Sequence, residues 1–513
     1  MVDAAPSPAQ PEPSTFQSVE ITSWTTGCLV LLVVIWSLTG HHVKRWNLNE
    51  GSAACALGLV SGLVILAFQS YMQKEVVKEL LGFNAASFFA FLLPPVIFWA
   101  GLSVEKKLFF SHIGSILTLG ILGTAVCFVV TALVLWLTFS HIGVLSLQES
   151  LAMGAIFSAT DSVATLQVLN QDSMPVLFSL VFGEGVINDA TSVVLLGAVD
   201  RMFSNTAASQ ASSSGSMWGG LLLTFMYLFV TSLCMGVATG LGIAFLMKRL
   251  EGQGVHQEVA LVGLLSYLSY LLAEVGGLSG ILSLFCCGIV VSHFALPNIS
   301  NVGRTTTLNA FRTLSYISEG IIFIYVGMDA LDPAKWRNAH VGQAGSLCVV
   351  LLLLLFISRA CSVLPIALAH NLLSTTQKLN SRDIIIIWWS GLMRGAVSVA
   401  LAYYYFDYGA GMTTYEAGSG GAEGPAPSSQ QHRATLIVAT LVVVLITVLG
   451  LGNLTNTLTQ LLVEEPERGL WELLWRGAYG CGHRLAHLPA LLCGLAQRMR
   501  KEGEGTFGVV KVG

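Results

Sequence analysis

Six charged residues stand inside long apolar runs of this chain: Asp161, Glu184, Asp189, Glu319, Arg359 and Arg394. An acid or base at the centre of an apolar helix costs at least ~2.5–3.5 kcal/mol on insertion scales, so such residues mark function by default. Four acids and two arginines imply buried ion pairs plus carboxylate left over. A carboxylate facing a water-filled path can hold a small cation or a proton. At 100° per residue, Glu184 and Asn188 share a helix face, and Asp189 is turned about 140° from Glu184. The simplest arrangement pairs Glu184 with an arginine of another helix and leaves Asp189 facing the path. The alternative is that all six charges are paired structural girders.

The elements that must carry these residues follow from composition. Of 513 residues, 54% are hydrophobic, with only 25 Lys+Arg and 29 Asp+Glu. That is 11% charged, where a soluble chain carries roughly a quarter. With a mean hydropathy of +0.71, an ordinary cytosolic enzyme, a disulfide scaffold and a disordered chain are excluded. The net charge of −4, without a basic stripe, gives no reason to expect a nucleic-acid partner. The ten cysteines contain no C-x-x-C pair, which argues against a structural zinc.

A bilayer core of ~30 Å needs about 20 apolar residues per helix. Runs of that kind recur from Trp24 to Val463 and predict an all-α polytopic membrane protein of about thirteen spans. Residues 1–23, Pro-rich, are expected to be a disordered tail, 24–463 the membrane domain, and 464–513 a short amphipathic cytosolic tail. Lys44, Arg45, Lys106, Lys107, Lys248, Arg249, Arg304 and Arg312 fall in odd-numbered loops, so the positive-inside rule puts the N-terminus outside the cytosol and the C-terminus inside it.

Two spans are interrupted mid-membrane by small and polar residues, one over Ser158–Ser162 and the other over Ser390–Gly395. They lie seven spans apart, and an odd offset gives opposite orientations, as an inverted-topology repeat requires. Asp161 and Arg394 are placed to compensate the helix ends exposed there. Two Gly/Ser-kinked packing helices would give the same spacing.

Five ordered motifs resemble the sodium/proton exchangers among the cation/proton antiporters, and especially their plant-type vacuolar branch. They are Phe88–Leu102 (FFAFLLPPVIFWAGL), Gly154–Gln171 (GAIFSATDSVATLQVLNQ), Ser179–Leu195 (SLVFGEGVINDATSVVL), Ser318–Leu331 (SEGIIFIYVGMDAL) and Trp388–Ala402 (WWSGLMRGAVSVALA). The likeness covers about Trp46 to Leu462. It implies an inverted-repeat bundle working as a homodimer by alternating access, and an electroneutral exchange of cytosolic Na+ or K+ for lumenal H+ at a vacuolar membrane. No cofactor is expected beyond the transported ions.

By the same resemblance, Asp189 is the ion-binding aspartate, Asn188 its partner, and Asp161 with Thr160 the crossing where Na+ or K+ is transiently held. Glu184 and Arg359 match a stabilising ion pair, and Arg394 the base of the second broken helix. Leu92, Leu93, Pro94, Pro95 and Phe98 fall in a segment associated with amiloride-type inhibitors. Trp99 stands where the plant motif usually has Asn, and Gly185 where many exchangers have a serine. An intramembrane aspartyl protease would also need two membrane aspartates, and a cation channel rings of carboxylates or carbonyls. The catalytic contexts of the first are absent, and the single acids do not suit the second.

Overall fold

The computed structural model describes residues 15–45, 49–68, 85–140, 144–161, 163–166, 169, 174–208, 214–250, 254–373, 379–408, 427–455 and 457–458. Among them every regular element is a helix. Eight helical stretches are long and apolar enough to cross a membrane, and three shorter apolar stretches accompany them. The expected tail of 464–513 lies outside the described residues, as do residues 1–14 of the N-terminal stretch. The first helix, α1, runs Thr15–Arg45.

Helix α2 (Glu50–Ala67) starts where Asn49 accepts a hydrogen bond from the Gly51 amide at 3.1 Å. α3 (Leu93–Ser103) follows a π-helical stretch, Phe88–Leu92. α4 (Thr124–Phe139) follows another π-helical stretch, Thr118–Gly123. α5 (Leu147–Ile156) opens on a Ser146–Glu149 capping box and is the first half of an interrupted span. α6 (Pro175–Ala208), α7 (Ser214–Arg249), α8 (Val255–Val275), α9 (Gly280–Val290) and α10 (Asn301–Asp329) come next. α11 (Val341–Leu373) leads to the second interrupted span, α12 (Ser381–Ser390) and α13 (Ala396–Tyr403), and then α14 (Pro427–Ile446).

Glycines let these helices approach closely where lipid gives no hydrophobic drive to associate. Gly58 of α2 packs on the backbone of α10, where a Cβ would stand 3.1 Å from the Gly327 Cα. Gly101 of α3 meets Gly288 of α9 in the same way, at 3.0 Å. The described outer surface carries many large exposed apolar side chains. Leu223 of α7 is 73% exposed and Leu372 of α11 is 86% exposed, which suits hydrocarbon and not water.

Both interrupted spans are discontinuous. α5 stops at Ile156, turns at Phe157 and Ser158, and continues without helical structure through Asp161. α12 stops at Ser390, and Met393–Gly395 is likewise non-helical before α13 begins. The two breaks meet: the Asp161 amide donates to the Met393 carbonyl at 3.0 Å. Ser398 of α13 donates to the Ile156 carbonyl at 3.3 Å, satisfying an orphan group at the end of α5.

Candidate ion-binding site

The crossing holds the two aspartates on which the sequence converges. Asp161 lies on the first break and remains partly exposed. Gly395 of the second break packs on it so tightly that a Cβ there would stand 2.7 Å from the Asp161 Oδ2. Asp161 also lines a cavity of about 10 Å³ with Asn49, Ser52, Phe323, Met393 and Val448, enough room for about one water. Asp189 projects from the middle of α6 and is likewise partly exposed. The charges of Asp161 and Arg394 both act on it.

Asn188, next to Asp189, is buried and makes three polar contacts. Its Nδ2 lies 2.7 Å from Thr160 Oγ1, its Oδ1 2.9 Å from Thr124 Oγ1, and the Ser192 hydroxyl 3.4 Å from the same Oδ1. Thr160 is itself buried on the first break. A polar bracket therefore ties α4, α6 and the break together around the aspartate. Ser192 lies 2.9 Å from Ser158, which adds a second link from α6 to the break.

Glu184 sits one turn before Asn188 and points elsewhere, forming an ion pair with Arg359 of α11. Both are essentially buried, at 2% and 1% exposure, so each charge needs the other. Arg359 Nη2 also donates to the Ile387 carbonyl at 3.0 Å, joining the pair to α12. Its guanidinium lies against Gly391, leaving no room for a side chain there.

Arg394 is fully buried on the second break. Its Nη1 donates to the Gly391 carbonyl at 2.9 Å, which lies just beyond the C-terminus of α12. A cation at that end complements the helix dipole and a carbonyl without an intrahelical partner. Thr447, following α14, takes a hydrogen bond from the Arg394 amide at 3.3 Å.

The segment of Leu92, Leu93, Pro94, Pro95 and Phe98 serves a different contact. Leu93, Pro94 and Phe98 are buried, with Leu92 and Pro95 partly so. Phe98 packs edge-on against Phe311 of α10, with ring centroids 4.7 Å apart. Sequence reasoning passed over Thr124, Ser192 and Thr447. A lone hydroxyl in an apolar helix ordinarily bonds its own backbone, so nothing in the pattern set these apart.

A family model described as sodium/hydrogen exchanger, transmembrane, matches residues 29–460. The chain belongs to the sodium/hydrogen exchanger family. It is 42% identical over 445 residues to sodium/hydrogen exchanger 1 of Oryza sativa subsp. japonica, covering 85% of this chain and 78% of that relative. The figures for sodium/hydrogen exchanger 1 of Arabidopsis thaliana are 42% over 444 residues, with 85% and 78% coverage. Similarity extends to sodium/hydrogen exchanger 8 of Rattus norvegicus, 30% identical over 470 residues, 90% of this chain and 76% of that one. A solved sodium proton antiporter from Methanocaldococcus jannaschii has a similar fold, with a TM-score of 0.63 at 16% identity. That alignment covers 87% of this chain and all of the other.

Proposed function

We propose that this exchanger moves Na+, K+ or both out of the cytosol against lumenal H+, one for one, by competition at Asp189. The observation that carries the reading is that two partly exposed aspartates, Asp161 on the first break and Asp189 on α6, lie close enough for their charges to act on one another beside the contact of the two breaks. Deprotonated Asp189, with oxygens of Asp161 and Thr160, accepts a desolvated cation, and Asn188 orders the surrounding polar groups. Protonation of Asp189 expels the ion, because the neutral acid no longer compensates the cation's lost hydration.

Either loaded state crosses between the two sides. The empty carboxylate does not, since a bare charge is held back by the hydrophobic barrier. That restriction couples the two fluxes, and one carboxylate taking one ion or one proton makes the exchange electroneutral. The Glu184–Arg359 pair braces α6 against α11 and α12, while Arg394 compensates the end of α12. No cofactor is needed beyond the transported ions. In this reading the protein is a transporter and not an enzyme, and works as a homodimer in a vacuolar membrane. Its N-terminus is lumenal, its C-terminus cytosolic, and the stretch around Leu92–Phe98 takes amiloride-type inhibitors.

The test is dissipation of a pH gradient by the purified protein in vesicles, titrated in turn with sodium, potassium and lithium. Cation-dependent dissipation without net current is expected. Asp189→Asn should abolish it while the protein still purifies as a folded species. Retained exchange in that variant would sink the reading.

A further inference from the structure

The Asn188 bracket contains more hydroxyls than its protons can serve in the arrangement described above. A carbonyl has no proton to give, so the Thr124 hydroxyl, hydrogen-bonded to the Gly120 carbonyl, spends its single proton there. The Ser158 hydroxyl likewise spends its proton on the Ala155 carbonyl at 2.7 Å. Ser192, 2.9 Å from the Ser158 oxygen, must then donate to it. Both hydroxyl oxygens facing one end of the Asn188 amide, Thr124 at 2.9 Å and Ser192 at 3.4 Å, are left as acceptors only.

An amide oxygen facing two acceptors is unfavourable, and an NH2 group has the two hydrogens that two acceptors need. The geometry points to the opposite amide polarity, with Nδ2 toward Thr124 and Ser192 and Oδ1 toward Thr160, and to Thr124 as the positioning residue that enforces it. The two orientations fill the same envelope, so the hydrogen-bond network decides between them.

The consequence falls on Thr160. With Asn188 Oδ1 at 2.7 Å, the Thr160 hydroxyl donates its proton to the amide. Its oxygen lone pairs then remain for an ion at the crossing, and its proton is held away from that ion. In the reverse polarity the amide would occupy a lone pair, and the Thr160 proton would be free to oppose a cation. Thr124, on a helix that contributes no carboxylate, would thereby set how well Thr160 serves as a cation ligand. The π-helical stretch Thr118–Gly123 immediately precedes Thr124. Gly120 within it packs against Ile187, where a Cβ would meet the Ile187 Cγ2 at 2.6 Å. That close approach brings Thr124 within reach of α6.

This inference rests on the exchange reading. The experiment compares the native protein with Thr124→Val, which keeps the shape and removes the oxygen, Thr124→Cys, whose sulfur is a weak acceptor, and Thr124→Ser, which restores the hydroxyl. Two quantities are read: the apparent KM for Na+ in the vesicle assay, and the Na+ concentration that half-maximally raises the melting temperature in detergent. Val and Cys should raise both about tenfold, the scale of one well-formed hydrogen bond to a buried amide. The loss should fall on KM and on the sodium midpoint more than on the maximal rate, and Ser should lie within about twofold of native. Native sodium dependence in Val or Cys, or equal impairment in Ser, would overturn the role of Thr124. A native protein that moves no protons in response to cations would instead strike the exchange reading, and the melting titration would still compare the variants.

Discussion

At the scale of single residues, two carboxylates five positions apart on one helix have different fates. Glu184 faces Arg359, and Asp189 faces the crossing, as a helical turn of about 140° between them requires. Glu184→Gln leaves the Arg359 charge buried without its counter-charge, and breaking such a pair costs about 3–5 kcal/mol. The expected result is a lowered melting temperature and poor yield. Replacing both partners, Glu184→Leu with Arg359→Met, should recover much of that loss, because apolar residues of similar volume need no desolvation. Thermal melts of the two variants check this; a double variant no better than the single one would refute it. The identities of these charges were readable in the sequence because charge in an apolar helix is rare. Thr124 and Ser192 were not readable, because hydroxyls in such helices are common.

At the scale of elements, the decisive feature is the pair of breaks. Ser146 and Glu149 cap the start of α5, and Asn380 with Asp383 caps α12, both as sequence-local signals. The interruptions themselves were legible as Ser158–Ser162 and Ser390–Gly395. Contact between them was not, since Asp161 N and Met393 O are far apart along the chain and meet only through folding. Gly395 is where that contact is most exacting. Gly395→Ala places a methyl 2.7 Å from the Asp161 Oδ2, so the carboxylate must shift. We expect an apparent cation KM raised about tenfold or more with only a small change in melting temperature. Vesicle kinetics beside a thermal melt would measure both, and an unchanged KM would count against Asp161 as an ion ligand.

At the scale of the whole molecule, residues up to Thr455 form one compact unit whose described surface is rich in exposed leucine, valine and phenylalanine. The competition proposed at Asp189 would give a pH dependence with a definite sign. Lowering the pH on the cation's side populates protonated Asp189, so the apparent KM for the cation should rise. The maximal rate at saturating cation should stay unchanged. Measuring initial rates across several pH values and cation concentrations checks this, and a fall in maximal rate at constant KM would point to protonation elsewhere.

Charge scarcity and apolar run length determined by themselves that the chain is a bundle of membrane helices, because hydrocarbon tolerates little else. They also singled out the few residues too costly to be there without a reason. Only the tertiary structure decided which acid meets which base and which acids stand at the crossing. Helix periodicity sets the direction of a side chain around its own axis, whereas partner choice depends on neighbours brought together from distant parts of the chain. Arg359 could have met any of four acids; the packing of α11 against α4 and α12 brought it to Glu184 of α6, and left Asp189 at the crossing.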